Sequence, residues 1–411
     1  MKRIIGSFFV SVFLHTPSLP ADQDLSNWLG LWRIEQQSDA QNAVVYHLQI
    51  SGDASALKLK LFSSEWLEVK VRSISKEPGQ VTFYWEVGGK PFSMTLHPAQ
   101  TGATGEWMLS HPQFPMKGAA LARKVFSQAN REPFEGTRRL QTAEGLVDLT
   151  GRLLKEAPLD SLEAFTAYWN KSFEPEYYPL VHDYLYGRQV LRKGLKGSQL
   201  KTVYEQLARA SFKTHASEFS SLYTKVRRDL SQKFPDVLNK NALITLPPFS
   251  GAKSETKNFG GAIFTFVDVH STKTLPREQL PYFIAHQVLI TPLRLRHPAE
   301  GTLGLEIFKE GFRIYVSSQL GYSQNRSDAF LMTEEQMKEV DSNLAQYRSQ
   351  IRNNVHSRSA SLMRKYFADP PYAGRVVGYA LIEKLSERFT PKELLDMQRP
   401  RLMEEIRAFL K

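Results

Sequence analysis

Leu280-Pro281-Tyr282-Phe283-Ile284-Ala285-His286-Gln287-Val288-Leu289-Ile290-Thr291-Pro292 is the stretch on which the fold of the C-terminal half turns. Pro281 suits the first turn of a helix, where its missing N–H would be unpaired anyway, and Pro292 limits the far end. The spacing predicts a helix of about three turns with His286 at its middle. Upstream, Gly260-Gly261 leads into Ala262–His270, a run rich in β-branched and aromatic residues that reads as a strand. Downstream, Thr302–Leu320 reads as a second helix closed by Gly321 as its C′ residue. Leu303, Ile307, Glu310 and Ile314 recur there at helical spacing, which places Glu310 on an apolar stripe. A carboxylate in that position is costly unless it is paired, hydrogen-bonded or bound to a metal. Gly311 beside it costs about 1 kcal/mol against alanine in a helix interior, and its small size suits close packing on a neighbouring helix.

Outward from this stretch the grammar stays mostly helical. Residues 198–238 read as one or two amphipathic helices, and Leu243–Leu246 and Ala262–Val269 as strands joined through the polar segment Pro247–Lys257. Residues 128–160 form a polar connection that turns helical, with Leu146, Leu149, Leu153 and Leu154 at helical spacing. Phe165, Tyr168, Trp169, Tyr177, Tyr178, Tyr184 and Tyr186 make an aromatic-rich stretch that reads as core packing.

The N-terminal part is different. Leu29–Gln36, Val44–Ile50, Leu57–Ser63, Leu67–Ile74, Gln80–Val87, Pro91–His97, Glu106–Ser110 and Gly118–Lys124 are candidate strands separated by turn residues. Short strands about ten residues apart argue for an antiparallel barrel or sandwich. Gly88-Gly89 suits a two-residue hairpin, whose central positions need positive φ. Trp28, Trp32, Trp66, Trp85 and Trp107 fall here, and Gly30-Leu31-Trp32 resembles the Gly-x-Trp opening of lipocalin-type barrels. The tryptophans either fill the interior or line a ligand cavity.

Met1-Lys2-Arg3, an apolar run from Ile4 to Leu14 and the small or helix-breaking residues up to Ala21 are the parts of a secretory signal peptide. The run is too short to span roughly 30 Å of hydrocarbon, and no later segment is apolar enough, so the expected product is an exported protein, secreted or periplasmic. The absence of cysteine removes disulfides, thiolate metal sites and thiol nucleophiles. The net charge of +11 lies almost wholly after residue 127, since residues 22–127 balance ten Lys/Arg against ten Asp/Glu. The excess is spread among acids rather than concentrated in a stripe or a recognisable module, which argues against nucleic-acid binding. The expected organisation is a signal peptide over 1–21, an N-terminal antiparallel β-barrel (lipocalin-like) over 22–127, a linker and helix over 128–160, and a mostly helical α+β domain over 161–411.

A strand, a helix with a central histidine and a helix with an inward Glu-Gly together resemble bacterial zinc-dependent peptidases of the gluzincin type. The segments that carry the resemblance are Ile284-Ala285-His286, Thr302-Leu303 with Lys309-Glu310-Gly311-Phe312-Arg313-Ile314-Tyr315-Val316, Gly374-Arg375-Val376-Val377-Gly378-Tyr379, and the closing helices around Leu394–Leu410. The resemblance implies a zincin-like fold for the C-terminal domain. It also implies that His286 stands at the first zinc ligand and Glu310 at the third. Two histidines four residues apart on one helix hold the metal in such sites, and the Glu after the first takes a proton from zinc-bound water. This chain departs at both places. Ile290 stands at the second ligand and cannot bind metal, and Gln287 stands at the general base and cannot accept a proton. Asp268, His270 or His297 would have to supply both a ligand and a base to rescue the site.

The first expectation is therefore a degenerate, catalytically inactive peptidase-like protein with no cofactor, in which His286 and Glu310 form a buried hydrogen-bonded pair. Its partner would be a peptide, a protein or a small apolar ligand. In the family the strand led by Gly260 and Gly261 resembles the edge strand that pairs with extended substrate. Gly260, Gly261 and Ile263, with Tyr379 near the cleft, are accordingly the candidate binding residues. The strand is as well read as an ordinary member of the sheet, and Tyr379 as aromatic packing. An active zinc-dependent hydrolase with a rearranged site and a lipocalin-like carrier are the alternatives.

Overall fold

The computed structural model describes residues 29–36, 44–51, 58–63, 68–77, 80–99, 102–110, 115–126, 140, 143, 145–180, 197–238, 242–247, 254–259, 262–297, 301–322 and 326–411. The candidate signal peptide, Trp28, Trp66, Tyr184, Tyr186, Gly260 and Gly261 lie outside them. The chain divides into two compact units: residues 1–138 with 172–179 and 259–261, and residues 139–171, 180–258 and 262–411.

Short alternating runs build the first unit. Strands β1 (Gly30–Gln36), β2 (Val44–Ser51), β3 (Lys58–Phe62), β4 (Glu68–Val69), β5 (Ser73–Glu77), β6 (Gln80–Val87), β7 (Lys90–Ala99), β8 (Gly102–Leu109) and β9 (Met116–Phe126) form one antiparallel sheet in the order β4-β3-β2-β1-β9-β8-β7-β6-β5. Gly88 and Gly89 turn β6 into β7 with φ of 58° and 77°, as the hairpin requires. The sheet curls into a half-barrel, roughly the barrel that the strand pattern predicts. The predicted strand Leu67–Ile74 is interrupted at Lys70–Arg72, so that β4 pairs with β3 and β5 with β6, and these three residues join the two ends of the strand order.

Aromatic side chains fill the concave face. Trp85 and Phe92 lie 4.3 Å apart between centroids, Phe92 stacks on Trp107 at 5.8 Å, and Tyr46 meets Trp85 edge-on. Trp32, Leu48, Phe83 and Leu96 complete this core. Trp32, Trp85 and Trp107 thus serve packing.

A four-stranded sheet centres the second unit, in the order β10 (Gly145–Asp148), β11 (Ala242–Leu246), β13 (Ala262–Asp268), β12 (Ser254–Phe259). β10 runs parallel to β11, and β11 to β13. Every residue of β11 is buried, the pattern of a parallel strand covered on both faces. Leu146 belongs to β10 and not to the helix its spacing suggested. The helix α1 (Leu149–Glu156) starts only after Asp148, whose Oδ1 accepts from the Gly151 N–H at 2.7 Å and ends the strand by capping.

Helices α2 (Leu162–Tyr168), α3 (Gly197–Ala208) and α4 (Ala210–Lys233) follow, so the 198–238 segment is two helices. The central histidine lies in α5 (Leu280–Val288), which is almost wholly buried and correspondingly apolar all round. Pro292 does not end a continuous helix here. The chain breaks at Leu289 and restarts as α6 (Ile290–Arg296), in which Pro292 occupies the first turn, where an N–H is dispensable. α7 (Leu303–Ser318) has Thr302 before it and Gly321 after it at φ 74°, close to the expected bounds. Then come α8 (Arg326–Phe330), α9 (Glu334–Ser342), α10 (Leu344–Asn353), α11 (Ala360–Phe367), α12 (Ala373–Ser386), α13 (Pro391–Asp396) and α14 (Arg399–Leu410). None of the described helices is long and apolar enough to cross a membrane.

α7 crosses α12 at two glycines. A Cβ on Gly311 would stand 2.1 Å from the Gly378 carbonyl oxygen, and one on Gly378 would stand 2.4 Å from that of Ile307. The backbones touch, which is the close approach that Gly311 suggests, and it brings Arg375 of α12 alongside Glu310 of α7.

Candidate functional site: a buried carboxylate among arginines

Glu310 sits where its stripe position requires, buried on α7 between Ile307 and Ile314. Its carboxylate meets cations from two helices. Arg313, one turn along α7, donates to Oε2. The Arg375 Nε lies 3.6 Å from Oε1, while its Nη1 donates to the Phe330 carbonyl at 2.9 Å and its guanidinium covers the Tyr372 ring at 4.5 Å. His286 brings Nε2 to 3.6 Å from Oε1, beyond hydrogen-bond reach. The expected His286–Glu310 pair is therefore a contact, and Arg313 and Arg375 are the charges that answer the carboxylate.

Electrostatics follow from this crowding. Burial first, then the positive charges of Arg313 and Arg375, push the His286 imidazole well below its ordinary range, so it is neutral at pH 7. Burial likewise pulls the Arg313 guanidinium down to about 10, with Glu306 opposing the shift and Arg375 adding to it. Tyr282 lies nearly parallel to the His286 ring at 6.2 Å and donates to the Ala329 carbonyl. Burial raises its phenol well above the usual range.

The other predicted residues do not gather around this carboxylate in the way a working zinc site needs. Gln287 turns toward β11 and β13, sharing a small void with Tyr223, Leu243, Thr265 and Thr291, and its buried carboxamide oxygen has no hydrogen-bond partner among the described residues. Ile290 lies past the break at Leu289, so no single regular helix holds positions 286 and 290. Ile290 and Glu310 do line one cavity of about 620 Å³. Asp268 Oδ1 accepts from the His270 N–H at 2.8 Å, and His297 Nε2 meets the Leu395 carbonyl at 3.0 Å. Among the described residues no three His, Asp or Glu side chains converge as a metal would require.

Ile263 is half-buried on β13, an inner strand hydrogen-bonded to β11 on one side and β12 on the other. β13 is thus an inner strand over Thr265–Asp268, where it pairs with β11, and not the edge strand that the resemblance suggested there. Tyr379 packs edge-on against Phe330 at 5.3 Å and tilted against Tyr315 at 5.9 Å, which is aromatic packing.

The residues missed in the sequence are Arg313 and Arg375. Arg313 carried a signal, since a cation three residues from a carboxylate shares its helix face. Arg375 carried none, because its approach depends on the glycine crossing. Comparison with known proteins finds no matching family model, no matching curated protein and no matching solved structure.

Proposed function

We propose that this chain is an exported, peptidase-like protein that binds a partner and does not catalyse. The observation that carries the reading is the pairing of Glu310 with Arg313, with the Arg375 charge 3.6 Å from its other oxygen. A divalent cation at that carboxylate would have to displace the Arg313 guanidinium and then sit beside two positive charges, where like-charge repulsion in a buried site is strong. Gln287 and Ile290, at the base and second-ligand positions, and the helix break between 286 and 290 support the same reading. On this view the arginines took over the role of satisfying Glu310 once metal ligation was lost. The peptidase ancestry, and export directed by residues 1–21, are parts of the proposal.

Elemental analysis of purified protein, followed by titration with zinc, tests it. The expected result is sub-stoichiometric zinc and no saturable uptake. One zinc per chain that disappears in His286→Ala would overturn the reading in favour of an active hydrolase.

A further inference from the structure

The exposed apolar side chains of the described residues are not scattered. Six large ones are exposed, and four of them, Tyr84, Val87, Met108 and Met116, stand at one end of the first unit's sheet, each 40 to 51% accessible. The neighbouring strands β6, β7, β8 and β9 bring them there. Val87 lies opposite Lys90 across the Gly88-Gly89 turn, Ser93 lies between Tyr84 and Met108, and Met116 lies opposite Leu109. Single surface hydrophobes are ordinary, whereas a cluster of them marks a place of interaction.

Both faces of this end are apolar. Residues opposite one another share a face of the sheet, and successive residues alternate between faces. Val87 and Leu109 follow the core residues Trp85 and Trp107 by two positions, so with Met116 they carry the concave face out to the rim. Tyr84 and Met108 lie on the convex face. A flat protein surface would cover one of these faces and leave the other wet. A lipid layer covers both, because the end of the sheet dips into it. Tyr84 is three residues from Val87, about 10 Å at the rise of a strand. Interfacial elements bury their apolar side chains to about that depth, roughly 5–10 Å.

The charges at the rim fit an anionic layer. Lys90 stands beside Val87 on one face and Lys117 beside Met108 on the other, and neither is ion-paired among the described residues. The acid nearest the turn, Glu86, is answered by Arg72 at 2.6 Å, and Glu106 lies two residues further from the end than Met108. A lysine in this position lays its stem along apolar surface and keeps its ammonium in water, at the level where anionic headgroups attract it.

We propose that this end of the sheet docks on the surface of an anionic lipid bilayer, with Val87, Met108 and Met116 at the boundary of headgroups and acyl chains and Lys90 and Lys117 among the phosphates. The inference draws on the first unit alone and does not depend on the state of Glu310.

Flotation of the full chain with vesicles of phosphatidylcholine, and of phosphatidylcholine mixed equally with phosphatidylglycerol, tests it. Binding to the mixed vesicles is expected, weakening with added salt and falling about tenfold or more on phosphatidylcholine alone. Lys90→Gln with Lys117→Gln should lower binding to the mixed vesicles by about tenfold, and Met108→Ser with Met116→Ser by about as much. These variants change exposed side chains, so tryptophan emission from the core should stay as it is. Because the chain has no cysteine, Met108→Cys, Met116→Cys and His97→Cys each take one environment-sensitive fluorophore. A blue shift on the mixed vesicles is expected at 108 and 116 and not at 97, which lies toward the other end of β7. No binding to the mixed vesicles, undiminished binding in both double variants, or an equal shift at 97 overturns the proposal. So does a dimer in sedimentation velocity that Met108→Ser with Met116→Ser dissociates, since the rim would then meet a second copy of the chain.

Discussion

Glu310 is the residue on which most of the local chemistry depends. Without it, Arg313 and Arg375 lose the carboxylate they share in a buried space, and Glu306 still attracts Arg313. Glu310→Ala is expected to cost about 3–5 kcal/mol in urea unfolding. Adding Arg313→Met should recover part of that loss, because an apolar side chain then replaces the stranded charge; a double variant as unstable as the single would argue that Arg313 is not the partner. His286 gives a second prediction, with a definite sign. Burial and the facing charges of Arg313 and Arg375 lower its folded-state value, while the unfolded chain titrates near the ordinary 6.5. Below that point the unfolded state binds more protons, so stability is complete above about 6.5 and falls as the pH drops. His215, His270 and His297 are lowered too, chiefly by burial, and act in the same direction. Each contributes up to about 1.4 kcal/mol per pH unit. Unfolding free energies at pH 7.5 and 5.5 should show this loss, and His286→Gln should remove one share of it.

At the scale of elements, the crossing of α7 and α12 is the joint that assembles the cluster. Alanine at 311 gains about 1 kcal/mol of helix propensity. Its Cβ, however, meets the Gly378 backbone, which cannot rotate away as a side chain can. The helices must separate, and overpacking of that kind costs about 1–3 kcal/mol. Gly311→Ala should therefore destabilise on balance, and a raised denaturation midpoint would mean that the backbones do not touch there. The element scale is also where sequence reading went furthest and then stopped. Periodicity and the Gly321 stop located α7 almost to the residue, and the apolar runs located β11 and β13. The break between α5 and α6 was not legible, because Pro292 has the same local meaning after one helix as in the first turn of the next. The place of β13 inside its sheet was equally hidden, since strand order is set by pairings between segments that are separate in sequence.

At the scale of the molecule, each unit has its own core: the aromatic cluster of Trp32, Trp85, Phe92 and Trp107 in one, and the sheet with its helices in the other. Chains built this way commonly depart from two-state unfolding. Tryptophan emission, dominated by the first unit, and far-ultraviolet circular dichroism, dominated by the helices, are expected to give different midpoints. Trp85→Ala should shift the fluorescence transition, by about 3–5 kcal/mol for loss of a large core side chain. Coincident curves in the wild-type chain would mean that the two units unfold as one.

The His286–Ile290 stretch by itself determined that a histidine would sit in the middle of a short apolar helix, with a glutamine next to it and an isoleucine four residues on. The stripe on α7 determined that Glu310 would face inward and need an answering charge. Which charge answered it was a tertiary decision. Arg375 reaches Glu310 only because two glycines let α7 and α12 touch, and no local pattern records a contact between residues 65 positions apart.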